Sequence, residues 1–179
     1  GQWELGVGVD GLFLRDHPQE TKVPSGQASL EARLGVVEDF DLGLRLYTFG
    51  ADLSARWRVL CGAWRVALAA SFGAARTTES ATTTNAYHFF GQLPVLVTTD
   101  LDDDWTLTFG PRLLWGYYWP EGGGSAQGLM LGAFVNTAAE LLETTLWLVP
   151  ELGFHQTVAG EVPVDGLIVH VALGLLWQP

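Results

Sequence analysis

The chain has 179 residues, of which 48% are hydrophobic, with a mean hydropathy of +0.20 and a formal net charge of -11. That length suits one domain spanning 1–179, and so much apolar content beside so much charge fits neither a disordered chain nor an ordinary soluble domain. Lys22 is the one lysine, and a chain this acidic has no clustered basic surface for a polyanion, so nucleic acid is set aside as a partner.

No stretch reaches the roughly 18 unbroken apolar residues of a membrane helix, because Gly, Arg, Asp or Glu interrupts every run. Any membrane span is therefore a strand. The pattern starts by Trp3, so the sequence reads as a mature form from which a signal peptide has been removed, and export is inferred. Cys61 has no second cysteine to pair with and reads as a buried or turn thiol.

The first run, 3–14, sets Trp3, Leu5, Val7, Val9, Gly11 and Phe13 on one face and Glu4, Gly6, Gly8, Asp10 and Leu12 on the other. A period of two is a strand. The second, 27–37, repeats the split, with Ala28, Leu30, Ala32, Leu34 and Val36 opposite Gln27, Ser29, Glu31, Arg33 and Gly35. Runs three and four, 41–49 and 53–60, change phase from Leu42, Leu44 and Leu46 to Leu53, Ala55, Trp57 and Val59, and Gly50-Ala51-Asp52 between them predicts a turn. The fifth run, 63–76, sets Trp64, Val66, Leu68, Ala70 and Phe72 against Arg65, Ala67, Ala69, Ser71 and Gly73. After 86–99, the seventh run at 104–119 turns Trp105, Leu107, Phe109, Pro111, Leu113, Trp115, Tyr117 and Trp119 away from Thr106, Thr108, Gly110, Arg112 and Gly116. Runs at 127–138, 143–156 and 165–178 complete ten, an even number as bacterial single-chain barrels require; without the turn at 50–52 the count falls to eight.

One face is greasy throughout and the other small or charged. Arg33, Arg45, Arg56, Arg58, Arg65 and Arg112 share the face of Gly and Ser, as expected where an outward arginine near the membrane midplane costs about 2–4 kcal/mol. A soluble ligand-binding barrel would have the opposite polarity. The expected fold is all-β, a transmembrane antiparallel up-and-down β-barrel with lipid outside. Short links at 38–40, 61–62, 100–103 and 139–142 are assigned to the periplasm, and longer ones at 15–26, 77–85, 120–126 and 157–164 to the exterior. On that orientation Trp3, Trp64, Trp105 and Trp177 form a periplasmic belt, and Phe13, Tyr87, Phe89, Tyr117, Trp119 and Phe154 an outer one. Ten residues from Trp3 to Phe13, at roughly 3.3 Å each and tilted by about 40°, span about 25 Å, the height of an outer-membrane apolar band.

In these features the whole chain resembles the small outer-membrane β-barrel proteins of Gram-negative bacteria. The resemblance implies an outer-membrane address, contact with outer-membrane lipid and lipopolysaccharide, and a C-terminal signal for the barrel-assembly machinery. His170, Ala172, Leu175 and Trp177 have that signal's spacing, with Ala172 where glycine is usual and Gln178-Pro179 following the aromatic residue.

The lumen is expected to hold Glu4, Asp10, Glu31 and Glu151 against the six arginines, paired because unpaired charge in a cramped interior costs several kcal/mol. The leading expectation is a side-chain-filled lumen in a non-enzymatic structural, surface or accessory subunit, with a periplasmic or membrane partner subunit as one setting. An anion-favouring pore is the alternative, since arginines outnumber acids six to four. A third reading, implied by the resemblance, is an outer-rim hydrolase using Asp16 with His17, or His155 with Thr157 and Glu161, although neither set supplies a serine nucleophile with its base and orienting group. The four histidines have no metal-ligand spacing, and Asp100, Asp102, Asp103 and Asp104 read as a solvated acidic turn, so neither metal nor cofactor is expected.

Overall fold

The computed structural model describes all residues except 1, 17–19, 80–83, 142–144, 161–166 and 179, and the side chains of 12–16, 20–25, 78–79 and 84 also lie outside the description. Ten strands follow in order: β1 (Trp3–Asp16), β2 (Glu20–Val37), β3 (Phe40–Tyr47), β4 (Gly50–Leu60), β5 (Trp64–Glu79), β6 (Thr84–Asp100), β7 (Trp105–Pro120), β8 (Ala126–Glu140), β9 (Leu146–Gly160) and β10 (Leu167–Trp177). Each pairs antiparallel with its chain neighbours, and β1 pairs with β10, from Leu5 opposite Trp177 to Arg15 opposite Leu167, so the sheet closes. Closure leaves no free edge along this seam. Trp3 packs edge-on against Trp177 across it, with centroids 5.0 Å apart.

The polarity is inside out relative to a soluble protein. Leu53 is 66% exposed and Leu131 52%, and the other large apolar residues on the outer face are similarly bare. A soluble monomer seldom exposes apolar surface on this scale, whereas a lipid-facing barrel requires it. No helix of the described residues is long and apolar enough to cross a membrane.

Two boundaries differ from the sequence expectation. The turn between β3 and β4 is Thr48-Phe49, with Tyr47 opposite Gly50, and Gly50-Ala51-Asp52 belong to β4. A two-residue hairpin produces the same phase change, so the pattern located a turn but not its residues. Gly50 is needed for contact within the wall: a Cβ there would run into the Ala74 carbonyl and Ala75 of β5. The longer links are also largely strand. β2 begins at Glu20, β5 runs to Glu79 and β9 to Gly160, so several hairpins continue the ladder past the apolar band. Beyond lipid both faces are wet, and the alternation that betrays a strand disappears.

Candidate functional site

Side chains from alternate positions of all ten strands meet in the lumen. On the wall formed by β1 to β4 they make a checkerboard of charge. Arg33 lies at its centre, 14% exposed, with Nη1 donating to Asp41 Oδ1 (2.5 Å), Nη2 donating to Glu31 Oε1 (2.8 Å) and Nε 4.0 Å from Glu4 Oε2. Arg56 Nε donates to the other Asp41 oxygen at 2.7 Å, and Arg45 Nη2 stands 3.2 Å from Glu31 Oε2. Gly43 makes room for this, because a Cβ on it would lie 3.2 Å from the Arg33 guanidinium carbon. The Tyr47 hydroxyl donates to Asp52, a residue only 3% exposed.

A second network crosses the facing wall. Arg112 on β7 reaches Glu151 on β9 at 2.8 Å, with its guanidinium carbon 4.3 Å from the centre of the Phe134 ring on β8. His170 on β10 lies between Glu151 (3.3 Å from Nδ1) and Asp10 (3.7 Å from Nε2). Gly153 separates His170 from His155, and Gly132 lies under the His155 ring.

The residues expected in the lumen are thus largely brought together, with two corrections. Arg58 and Arg65 stand at the mouth near the chain termini, paired there with Asp39 and Asp100. Asp41 and Asp52, read from sequence as a strand start and a turn, are interior. Among the described residues the inner cluster therefore holds Glu4, Asp10, Glu31, Asp41, Asp52 and Glu151 against Arg33, Arg45, Arg56 and Arg112. Acids outnumber arginines there six to four, the reverse of the count read from the sequence, and His170 adds a further basic group. Asp52 had a legible signal, since it follows Gly50 by two in the lumen phase.

The lumen is filled only in part. A vestibule of about 860 Å³ opens among Glu38, Asp39, Arg58, Arg65 and Thr98 near the termini. It adjoins a chamber of about 310 Å³, and Glu4, Arg33, Arg56 and Leu96 line both. Towards the other end larger groups crowd inward: Tyr47 against Phe90, Phe134 under Arg112, and His88 against Tyr118.

The aromatics named as interface residues lie towards the two ends of the barrel. Trp3, Trp64, Trp105 and Trp177 face outward near the termini, and Tyr87 with Trp119 and Phe89 with Tyr117 make ring pairs at the other end. Phe154 is exposed on β9, and the Phe13 side chain lies outside the described residues. In the final strand His170 and Ala172 face the lumen and Leu175 and Trp177 the exterior.

Of the catalytic candidates, His155 and Thr157 lie on β9. His17 and Glu161 and the Asp16 side chain lie outside the described residues, and His155 is 3% exposed with no hydrogen-bond partner at Nε2. In the acidic turn Asp100 is held by both terminal nitrogens of Arg65, and Asp102 Oδ1 accepts from the Asp104 amide. Cys61 is exposed in the turn after β4.

No protein-family model matches the sequence, and no curated protein matches it. Solved structures do match in fold. Neisserial surface protein A is 11% identical over 100% of this chain and 99% of that one, with a TM-score of 0.50. Ail, the attachment invasion locus protein of Yersinia pestis, is 10% identical over 99% and 97%, with a TM-score of 0.50. An outer membrane channel from Pseudomonas putida F1 is 12% identical over 100% and 96%, with a TM-score of 0.55. The chain has the fold of the small Gram-negative outer-membrane β-barrels, closed here with ten antiparallel strands.

Proposed function

We propose that this chain spans a bacterial outer membrane as a non-enzymatic surface or structural barrel whose lumen is closed to steady ion flow. The short turns and both termini face the periplasm, and Trp177 closes an assembly signal read by the barrel-assembly machinery. The vestibule is then a periplasm-facing cup. The fold does not choose among roles, since the proteins sharing it include a surface protein, an attachment protein and a channel.

The observation that carries the closed reading is the pairing of the interior arginines with carboxylates from neighbouring and next-neighbouring strands, beyond which Tyr47, Phe90, His88 and Tyr118 crowd the bore. A barrel of about eight strands is just wide enough for side chains to fill and one of about sixteen leaves an aqueous channel, so ten strands lie near the filled end. Single-channel recording in a planar bilayer tests this reading: purified, folded barrel gives no steady open level, and a sustained conductance refutes closure.

A second reading, a narrow pore, draws on the junction of vestibule and chamber at Glu4, Arg33 and Arg56. With six acids facing four arginines inside, such a path passes cations in preference to anions. Reversal potentials under a salt gradient distinguish it from the anion-selective alternative.

A further inference from the structure

Arginine is paired almost everywhere in this barrel. Among the described side chains Arg33, Arg45, Arg56, Arg58, Arg65 and Arg112 each lie within 4.0 Å of a carboxylate, and Arg76 does not. Arg76 is also the one that points outward: it follows Phe72 and Ala74 on the exposed phase of β5, and its own side chain is exposed. Its row around the wall is aromatic. Arg76 lies opposite Tyr87, Tyr87 lies opposite Trp119, and on the other side the Arg76 amide donates to the carbonyl of exposed Phe49. Glu121, in the turn after β7, feels the Arg76 charge, but its oxygens are taken by Asn85 Nδ2 (2.8 Å) and the Tyr87 hydroxyl (3.0 Å).

A cation on the outer face at the level of an aromatic belt sits where hydrocarbon gives way to headgroups. Arginine extends its stem along apolar surface and carries the guanidinium to that boundary. Its fork of N–H donors matches the oxygens of a phosphate in geometry and charge. The flanking rings suit the acyl and glycerol portions beneath.

We propose that Arg76, flanked by Phe49, Tyr87 and Trp119, is a binding site for the phosphate of an anionic lipid headgroup in the leaflet around this end of the barrel. The inference rests on the membrane-spanning reading and adds a ligand class to it. A headgroup seated there supplies the close ion pair that every other described arginine makes within the protein.

The test reconstitutes the full chain in phosphatidylcholine nanodiscs doped with phosphatidic acid, and counts retained lipids by native mass spectrometry. Wild type retains phosphatidic acid over phosphatidylcholine, Arg76→Ala lowers that preference about fivefold, and Arg76→Lys keeps part of it. Arg58→Ala, at the opposite mouth, leaves it unchanged. Equal retention by Arg76→Ala overturns the site, and so does displacement of the lipid by inorganic phosphate alone, which marks a free-anion site. Heat-modifiable electrophoretic mobility reports folding of each variant. Failure of folded wild type to enter nanodiscs refutes the membrane reading itself, whereas an inserted Arg76→Ala barrel with undiminished preference refutes the lipid site alone.

Discussion

Arg112 and Glu151, on strands that are not neighbours, meet at 2.8 Å across the intervening β8, and Arg112 covers Phe134 as it does so. With Arg112 only 11% exposed, the contact ties three strands through the lumen. Arg112→Leu leaves Glu151 with only His170 and Asn136 and costs about 1–3 kcal/mol, whereas Arg112→Leu with Glu151→Leu costs less than the two single changes together. Urea unfolding of the barrel in lipid vesicles measures the cycle; additive losses contradict the pairing.

Glycine is needed at some lumen positions and dispensable at others. A Cβ at Gly132 would strike the Phe154 carbonyl and the His155 ring, while one at Gly116 meets nothing within 4 Å. Gly132→Ala therefore destabilises by about 1–3 kcal/mol, and Gly116→Ala changes stability by no more than about 0.5 kcal/mol. The same unfolding assay ranks them.

Lipid polarity gives a prediction at Leu131, outward-facing between the two aromatic belts. Leu131→Arg costs about 2–4 kcal/mol in a bilayer. The equivalent loss is absent if that face meets water, so comparing vesicles of matched thickness with a non-lipid amphipol separates the cases.

Outside the membrane-spanning strands, Glu121 titrates below its ordinary value of 4.5 because Asn85 and Tyr87 donate to its carboxylate and Arg76 adds positive charge. A depressed folded value contributes stability that is present above the unfolded value and is lost as pH falls through the folded one. Tyr87→Phe removes one donor and moves the Glu121 midpoint upward, as followed by carboxyl-carbon NMR. It weakens the barrel at neutral pH, and the difference fades in acid. An unmoved midpoint contradicts the bond.

Strand number, closure and polarity were legible in sequence because lipid imposes a strict period of two on both faces. The limits of legibility follow from the same physics. Gly50 and Asp52 carry turn chemistry in their residue types, and although Asp52 has the lumen phase, neither its Tyr47 hydrogen bond nor the wall contact of Gly50 is visible in a local pattern. The continuation of β5 through Thr77 and Thr78 was invisible because polar residues on both faces carry no period. Arg58 and Arg65 share the phase of the lumen, but phase fixes a face and not a depth, so their place at the mouth emerged only in three dimensions. Arg76 closes its apolar run on the outward phase, and phase alone does not give its depth.

The central claim is that the apolar face of this barrel meets lipid and its charged face does not. Nitroxide labels placed singly along β8 from 128 to 138, in bilayers, measure it through collisions with oxygen and with a water-soluble nickel complex. Odd positions, including Leu129, Leu131 and Val135, should show high oxygen and low nickel accessibility, and even positions, including Gly132 and Phe134, should be shielded from lipid. Loss of the alternation, or its reversal, would contradict the account.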